Sequence, residues 1–274
     1  MEETEIIEQI DSGSMILYEQ EKALIDVQIA TAHAFPRNMR RAIEGAITVA
    51  TMDKETAASC NYALPRAGKN ITGPSVHLAN IILQQWGNIR VDSRVIGNDG
   101  KHVTSESICH DLETNVAVRV QVKRKITDKN GKTFNEDMIT VTGNAANAIA
   151  KRNAVFSVVP KSVVNKVYQA AIGLLTGDIS DETKLMAGRV KVVDGLKQAF
   201  NVTEAEILKS IGKASLDHIG AEELVTLIGF GQAIKDGDAT VETIFRPEKA
   251  GSKKSEAYDN LMDAADAANK KTGK

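Results

Sequence analysis

The stretch VAVRVQVKRK, Val116 to Lys125, places valines at 116, 118, 120 and 122 and sets Arg119, Gln121 and Lys123 between them, with Lys125 next in phase. A period of two is the mark of a β-strand with one buried face. The other face then carries a row of cations at about 6.6 Å per step. That step is close to the phosphate spacing of an extended single nucleic-acid strand. Such a row can neutralise phosphates, and Gln121 can hydrogen-bond a sugar or base. A solvated sheet face is the other reading of the same pattern. Arg124 and Lys129 crowd the tip of the hairpin that follows.

A second set of residues lies downstream. Asn144, Asn147 and Lys151 are spaced to share one helix face, with alanines at 145, 146, 148, 150 and 154 around them. A face of small residues admits a close-approaching backbone, either a ligand's or another helix's. Arg152 and Lys161 add charge nearby. A basic sheet beside such a helix predicts a groove for a nucleic-acid backbone.

Catalytic chemistry is less well supplied. Gly131–Thr133 reads GKT, the end of a phosphate-binding loop, but position 126 is Ile where the motif needs glycine. No ATPase is expected. Asp111, Gln121 and Lys123 have the spacing Asp-x9-Gln-x-Lys, one carboxylate short of a metal-dependent exonuclease site. A Mg²⁺-dependent nuclease built on Asp111 and Lys123 is therefore an alternative reading. Cys60, Cys109, His102 and His110 match no familiar zinc spacing, and neither a metal nor a cofactor is expected.

The elements that must position these residues follow from the rest of the chain. Of 274 residues, 42% are hydrophobic, 26% charged and 4% aromatic, which is a globular composition with an aliphatic core. No apolar run is long enough for a membrane span, and two cysteines fit a reducing cytoplasm. Net charge is −7 over residues 1–34, +8 over 35–166 and −3 over 167–274, which points to a polyanion site in the middle. Residues 1–14 read as a disordered tail and 15–34 as a helix. Pro36 is expected to open a helix bearing Arg37, Arg40 and Arg41 on one side. Asp53 is expected to cap a short helix, and Pro65–Lys69 to form a small basic loop. Four strands follow, ending in KTFNEDMITVT, then a helix over 143–159 and another from Pro160. Short helices fill Glu182 to Phe245, with caps near Asn201, Thr203, Gly237 and Asp238. The expected fold class is α+β: an antiparallel β-meander packed on helices, with a small C-terminal helical segment. The expected divisions are 1–34, an acidic segment; 35–181, the α+β core; 182–246, a small helical domain; and 247–274, a flexible tail.

Three segments carry a resemblance: SCNYALPRAGKNITGPSVHLANIILQQWGNI, HDLETNVAVRVQVKRKITDKNGKTFNEDMI and TGNAANAIAKRNAVFSVVPK. The order of elements from about Phe35 to Asp178 resembles the phage and prophage single-strand annealing proteins, the RecT, Red-beta and Erf superfamily. The resemblance implies a protein of phage recombination and repair, not an enzyme, that coats single-stranded DNA without ATP and pairs it with its complement through an annealed duplex intermediate. It implies side-by-side assembly into rings or helical filaments in the bacterial cytoplasm. It also implies a groove between sheet and long helix, formed by Arg119, Lys123 and Lys125 from the strand and Lys151 and Arg152 from the helix. Arg66, Lys69, Gln121 and Asn147 complete the candidate DNA-binding set. The 182–245 segment is similar to the small C-terminal modules of such proteins, which implies docking of a phage exonuclease or a host single-strand-binding protein. A departure is that no aromatic cluster lies on the sheet for base stacking. The remaining alternative is a non-enzymatic structural phage protein whose basic face docks a partner.

Overall fold

The computed structural model describes residues 2–66, 69–128, 130–176, 182–237 and 239–247, with side chains from residue 14 onward except at 66, 69 and 182–184. Lys129, Asp238 and the 248–274 stretch of the expected tail lie outside the described residues. The fold is α+β, and the chain divides into two compact units. The first comprises residues 1–61 and 74–175, the second 62–73 and 176–274.

The first unit opens with α1, Glu2–Ala34, so the expected disordered tail is instead part of a 33-residue helix. Next comes α2, Met39–Ala50, which starts at an Asn38 cap rather than at Pro36, and Asn38 Oδ1 accepts the Arg41 N–H. Arg37 thus lies before the helix, not on its face. Helix α3, Lys54–Ser59, begins at the expected cap, where Asp53 accepts from Thr56 N at 2.7 Å. Helix α4, Val76–Trp86, is capped by Ser75 and ends at Gly87, whose φ of +66° suits a residue without Cβ.

Three strands follow: β3, Ile89–Asn98; β4, His102–Asp111; and β5, Val116–Lys125. They form an antiparallel sheet in the order β3-β4-β5. The expected fourth strand is absent. Asn135 accepts from Met138 N and caps α5, Glu136–Val158, while Glu136 and Asp137 favour its positive N-terminus. Only an isolated bridge, Thr127 to Thr133, remains of the expected pairing among the described residues.

Helix α5 lies across one face of this sheet. Ala146 shares one core cluster with Val103, Ile126 and Val122, and Ala154 and Val155 share another with Cys109, Val91 and Val120. The alanine run is what lets the helix approach so closely; an ideal Cβ on Gly143 would already touch Val95 at 3.5 Å. The core continues through α2, α4 and α6, Lys161–Thr176.

The second unit contains a hairpin that the sequence reading missed. Strands β1, Asn61–Arg66, and β2, Lys69–Pro74, pair where a basic loop was expected, and residues 62–73 cluster with the C-terminal helices rather than with the α+β core. Ala63 is fully buried in a core with residues of α7, Glu182–Phe200; α8, Glu204–Ser210; α9, Ala221–Lys235; and α10, Val241–Phe245. Thr203 caps α8 as expected. Asn201, with φ +52°, and Gly237, with φ +75°, lie just past the ends of α7 and α9.

Candidate nucleic-acid interface

On β5 the alternation is realised. Val118, Val120 and Val122 are half-buried against α5, and Arg119, Gln121, Lys123 and Lys125 are exposed on the opposite face. Cross-strand register sets Arg119 beside Ile108, Gln121 beside Glu106, and Lys123 beside Thr104. Glu106 in turn pairs with Arg94 of β3. The open face therefore gains Arg94 and Arg90, which the sequence reading did not single out. Their signal was present: in IRVDSRV, Arg90, Asp92 and Arg94 alternate with Val91, Ser93 and Val95.

The cations on this face are partly matched by acids. Glu106 accepts from Gln121 Nε2 at 3.0 Å and lies 3.7 Å from Arg94 Nη2 and 3.8 Å from Arg119 Nε. The Gln121 hydrogen bond, opposed by burial and aided by both guanidiniums, holds the Glu106 carboxyl below its usual range. Lys123 reaches Asp99 at 3.0 Å, and this contact, with the Lys101 and His102 N–H groups, pulls Asp99 far below the usual carboxylate range. Arg94 and Arg119 thus share Glu106, Lys123 pairs with Asp99, Arg90 pairs with Asp92, and Lys125 Nζ donates to the Asp128 carbonyl at 3.4 Å. Arg94, Arg119 and Lys123 side chains keep 75%, 65% and 56% exposure, so each can swing to an incoming phosphate.

The other candidates are elsewhere. Asn147, Lys151 and Arg152 are half-buried on α5, which covers the valine face. Arg152 donates to Asn153 Oδ1, and Asn147 Oδ1 is buried without a protein partner. The expected groove combining the β5 row with these α5 residues is not formed. The valines must be covered, the helix covers them, and the polar row on the same strand then points away from the helix. Arg66 and Lys69 belong to β1 and β2, whose hairpin clusters with the second unit, and their side chains lie outside the described residues.

Asp111 has a structural task. It accepts from Arg37 Nη1 at 2.6 Å and Nη2 at 2.8 Å, and from the Glu113 and Thr114 N–H groups. Arg37 stacks over Trp86 with its Cζ 4.7 Å from the ring centroid, and Glu113 also accepts from Arg37 N and from Asn88. Burial raises the Asp111 pKa, but the hydrogen bonds and charge of Arg37 outweigh it and hold the group below its ordinary value. Lys123 pairs with Thr104, seven residues from Asp111 along β4. That puts the two residues roughly 24 Å apart and on opposite sheet faces, too far to share a metal. The thiols of Cys60 and Cys109 are buried and pushed up to about 11 and about 12, chiefly by desolvation. His102 and His110 alternate with Cys109 on β4 and face the other way. No three His, Cys, Asp or Glu side chains converge among the described residues.

No protein-family model, curated protein or solved structure matches this chain.

Proposed function

We propose that this protein binds single-stranded DNA without ATP and anneals it to a complementary strand during phage recombination in the bacterial cytoplasm. The observation that carries this reading is the uncovered sheet face on which Arg94, Arg119, Lys123 and Lys125 stand around Gln121. Annealing makes two demands: phosphate repulsion must be neutralised, and the bases must stay reachable. Cations at alternate strand positions meet the first. The positions on this face between 90 and 125 carry no Phe, Tyr or Trp, so contact falls on phosphates and leaves base edges free. Side-by-side homo-oligomers, as rings or filaments, would extend the face along the strand, and the second unit would dock an exonuclease or a host single-strand-binding protein.

The test is a gel shift with an unpaired oligonucleotide, followed by addition of its complement. Retention of the first and accelerated pairing of the two are expected. Absence of binding to either form at low salt would overturn the reading. A second reading, docking of a protein partner in a phage assembly, is favoured by the carboxylates already woven among the cations, as in the mixed-charge rim of a protein–protein contact. Salt discriminates: counterion release makes DNA binding fall steeply and linearly on a log–log plot.

A further inference from the structure

Helix α1 carries two apolar arcs, and the first unit covers only one of them. On the covered arc Ile25, Gln28 and Ile29 are half-buried and Ala32 is buried. Beside it Glu21 accepts from Arg90 Nη2, and His33 Nε2 hydrogen-bonds the Glu113 carbonyl. The second arc carries Ile16, Leu17, Ala23, Leu24, Val27 and Ala30, all exposed. At 3.6 residues per turn, this arc holds no Asp, Glu, Lys or Arg between residues 14 and 34, about six turns. Glu19, Lys22 and Asp26 fall behind it, and Glu21 is taken by Arg90. A surface helix normally turns charge outward, so an outward arc that is apolar and uncharged is the pattern of a helix with a partner.

Three features favour a second copy of this chain as that partner. The arc is complementary to itself: Leu17, Leu24 and Thr31 recur at seven-residue spacing, with Ala23 and Ala30 alongside to admit a close-approaching helix. Its size is sufficient. Ile16, Leu17, Leu24 and Val27 are 51–68% exposed, and two such arcs pressed together would bury roughly 1,000–1,200 Å², the low end for a specific interface. Charge sets the direction. Residues 2–11 include five acids and no Lys or Arg, whereas the exposed Arg40 and Arg41 follow the helix. Antiparallel pairing centred on Leu24 aims the acidic start of each helix at the Arg40–Arg41 segment of the other. Parallel pairing would set the two acidic starts side by side.

We propose that α1 is a dimer contact in which two copies pair these helices antiparallel, about a two-fold axis near Leu24. The contact rests on α1 alone and is independent of the DNA-binding reading above.

The test starts from the mass of the full chain in solution without DNA. At about 50 µM, light scattering should give at least twice the chain's 29.5 kDa. Leu17→Glu with Leu24→Glu places charge in the arc at exposed positions; the mass should fall by half while the urea midpoint of the body stays in place. Direction is read by cross-linking, which Cys60 and Cys109 do not disturb because both are buried. Leu24→Cys should form an interchain disulfide on mild oxidation, and Leu17→Cys chains should cross-link to Thr31→Cys chains when the two are mixed. Leu17→Cys alone should not, since antiparallel helices hold those two sites roughly 21 Å apart, beyond the roughly 7 Å reach of a disulfide. A monomer at this concentration, or a mass that the double variant leaves unchanged, would overturn the contact and leave the arc to residues 248–274 or to a foreign protein. Self-cross-linking of Leu17→Cys in place of the mixed pair would overturn it in favour of parallel pairing. None of these outcomes alters the DNA-binding reading, which the gel shift decides.

Discussion

At Asp111 one carboxylate ties together three segments distant in sequence: the link before α2, the end of α4 through Trp86, and the turn after β4. The Arg37 and Asp111 side chains are only 9% and 6% exposed, so removing one partner strands the other's charge. Asp111→Ala should cost about 3–5 kcal/mol in urea unfolding. The depressed pKa adds a pH signature. Stability from Asp111 is fully present above its unfolded value of 3.8 and is lost as pH falls through the lower folded value. Asp111→Asn should therefore flatten the stability–pH curve below about pH 4, read from urea midpoints. On the open face, Arg119→Ala with Lys123→Ala should flatten the salt slope of DNA binding by about 1.4–1.8 units and change stability by about 0.5 kcal/mol or less. The same changes at Lys151 and Arg152, beyond the covered face, should move the slope less. Val120→Ala should do the reverse, costing about 1–2 kcal/mol of stability with the slope unchanged. The cationic row itself was legible, because alternation decides which side chains share a face. The matching acid Glu106 was not, because its place depends on the register of β4 against β5.

Among the elements, α5 was the most instructive misreading. FNEDMITVT offers Phe134, Ile139, Val141 and two threonines, the residue types that favour strands. The deciding signals were Asn135 followed by two acids, a helix start that lengthens α5 by two turns. Asn135→Ala should lower the melting midpoint, with a cost of about 1 kcal/mol. Gly143 lies inside this helix, and a Cβ there would make ordinary contacts with Val95 and Val103 at 3.5 and 3.9 Å. Gly143→Ala should accordingly stabilise the fold by about 0.5–1 kcal/mol in the same melt. The β1–β2 hairpin was hidden for a different reason. Pro65, Gly73 and Pro74 punctuate it, and the core that buries Ala63 is supplied by helices more than a hundred residues away.

For the whole molecule, the sequence separates an α+β part from a C-terminal helical part but does not reveal that the latter borrows a hairpin from the former. A chain ended at Leu175 keeps the complete open sheet face and loses the helices that bury Ala63. Such a chain should retain single-strand binding yet melt at lower temperature and aggregate more readily than one in which residues 62–73 are also replaced by a short Gly/Ser link. Thermal scattering of the two chains checks this. Loss of DNA binding in a still-folded short chain would place part of the interface in the second unit.

The borrowed hairpin also sets a schedule. During synthesis it leaves the ribosome about 110 residues before the first helix of its own core, a delay of roughly 5–20 s at 5–20 residues per second. By the end of that interval the first unit, residues 1–61 and 74–175, has also emerged and can close, while the hairpin has waited throughout with its apolar side uncovered. The second unit is thus the last part of the protein to finish folding, and the period when this chain is most open to chaperones or proteases is written into its topology.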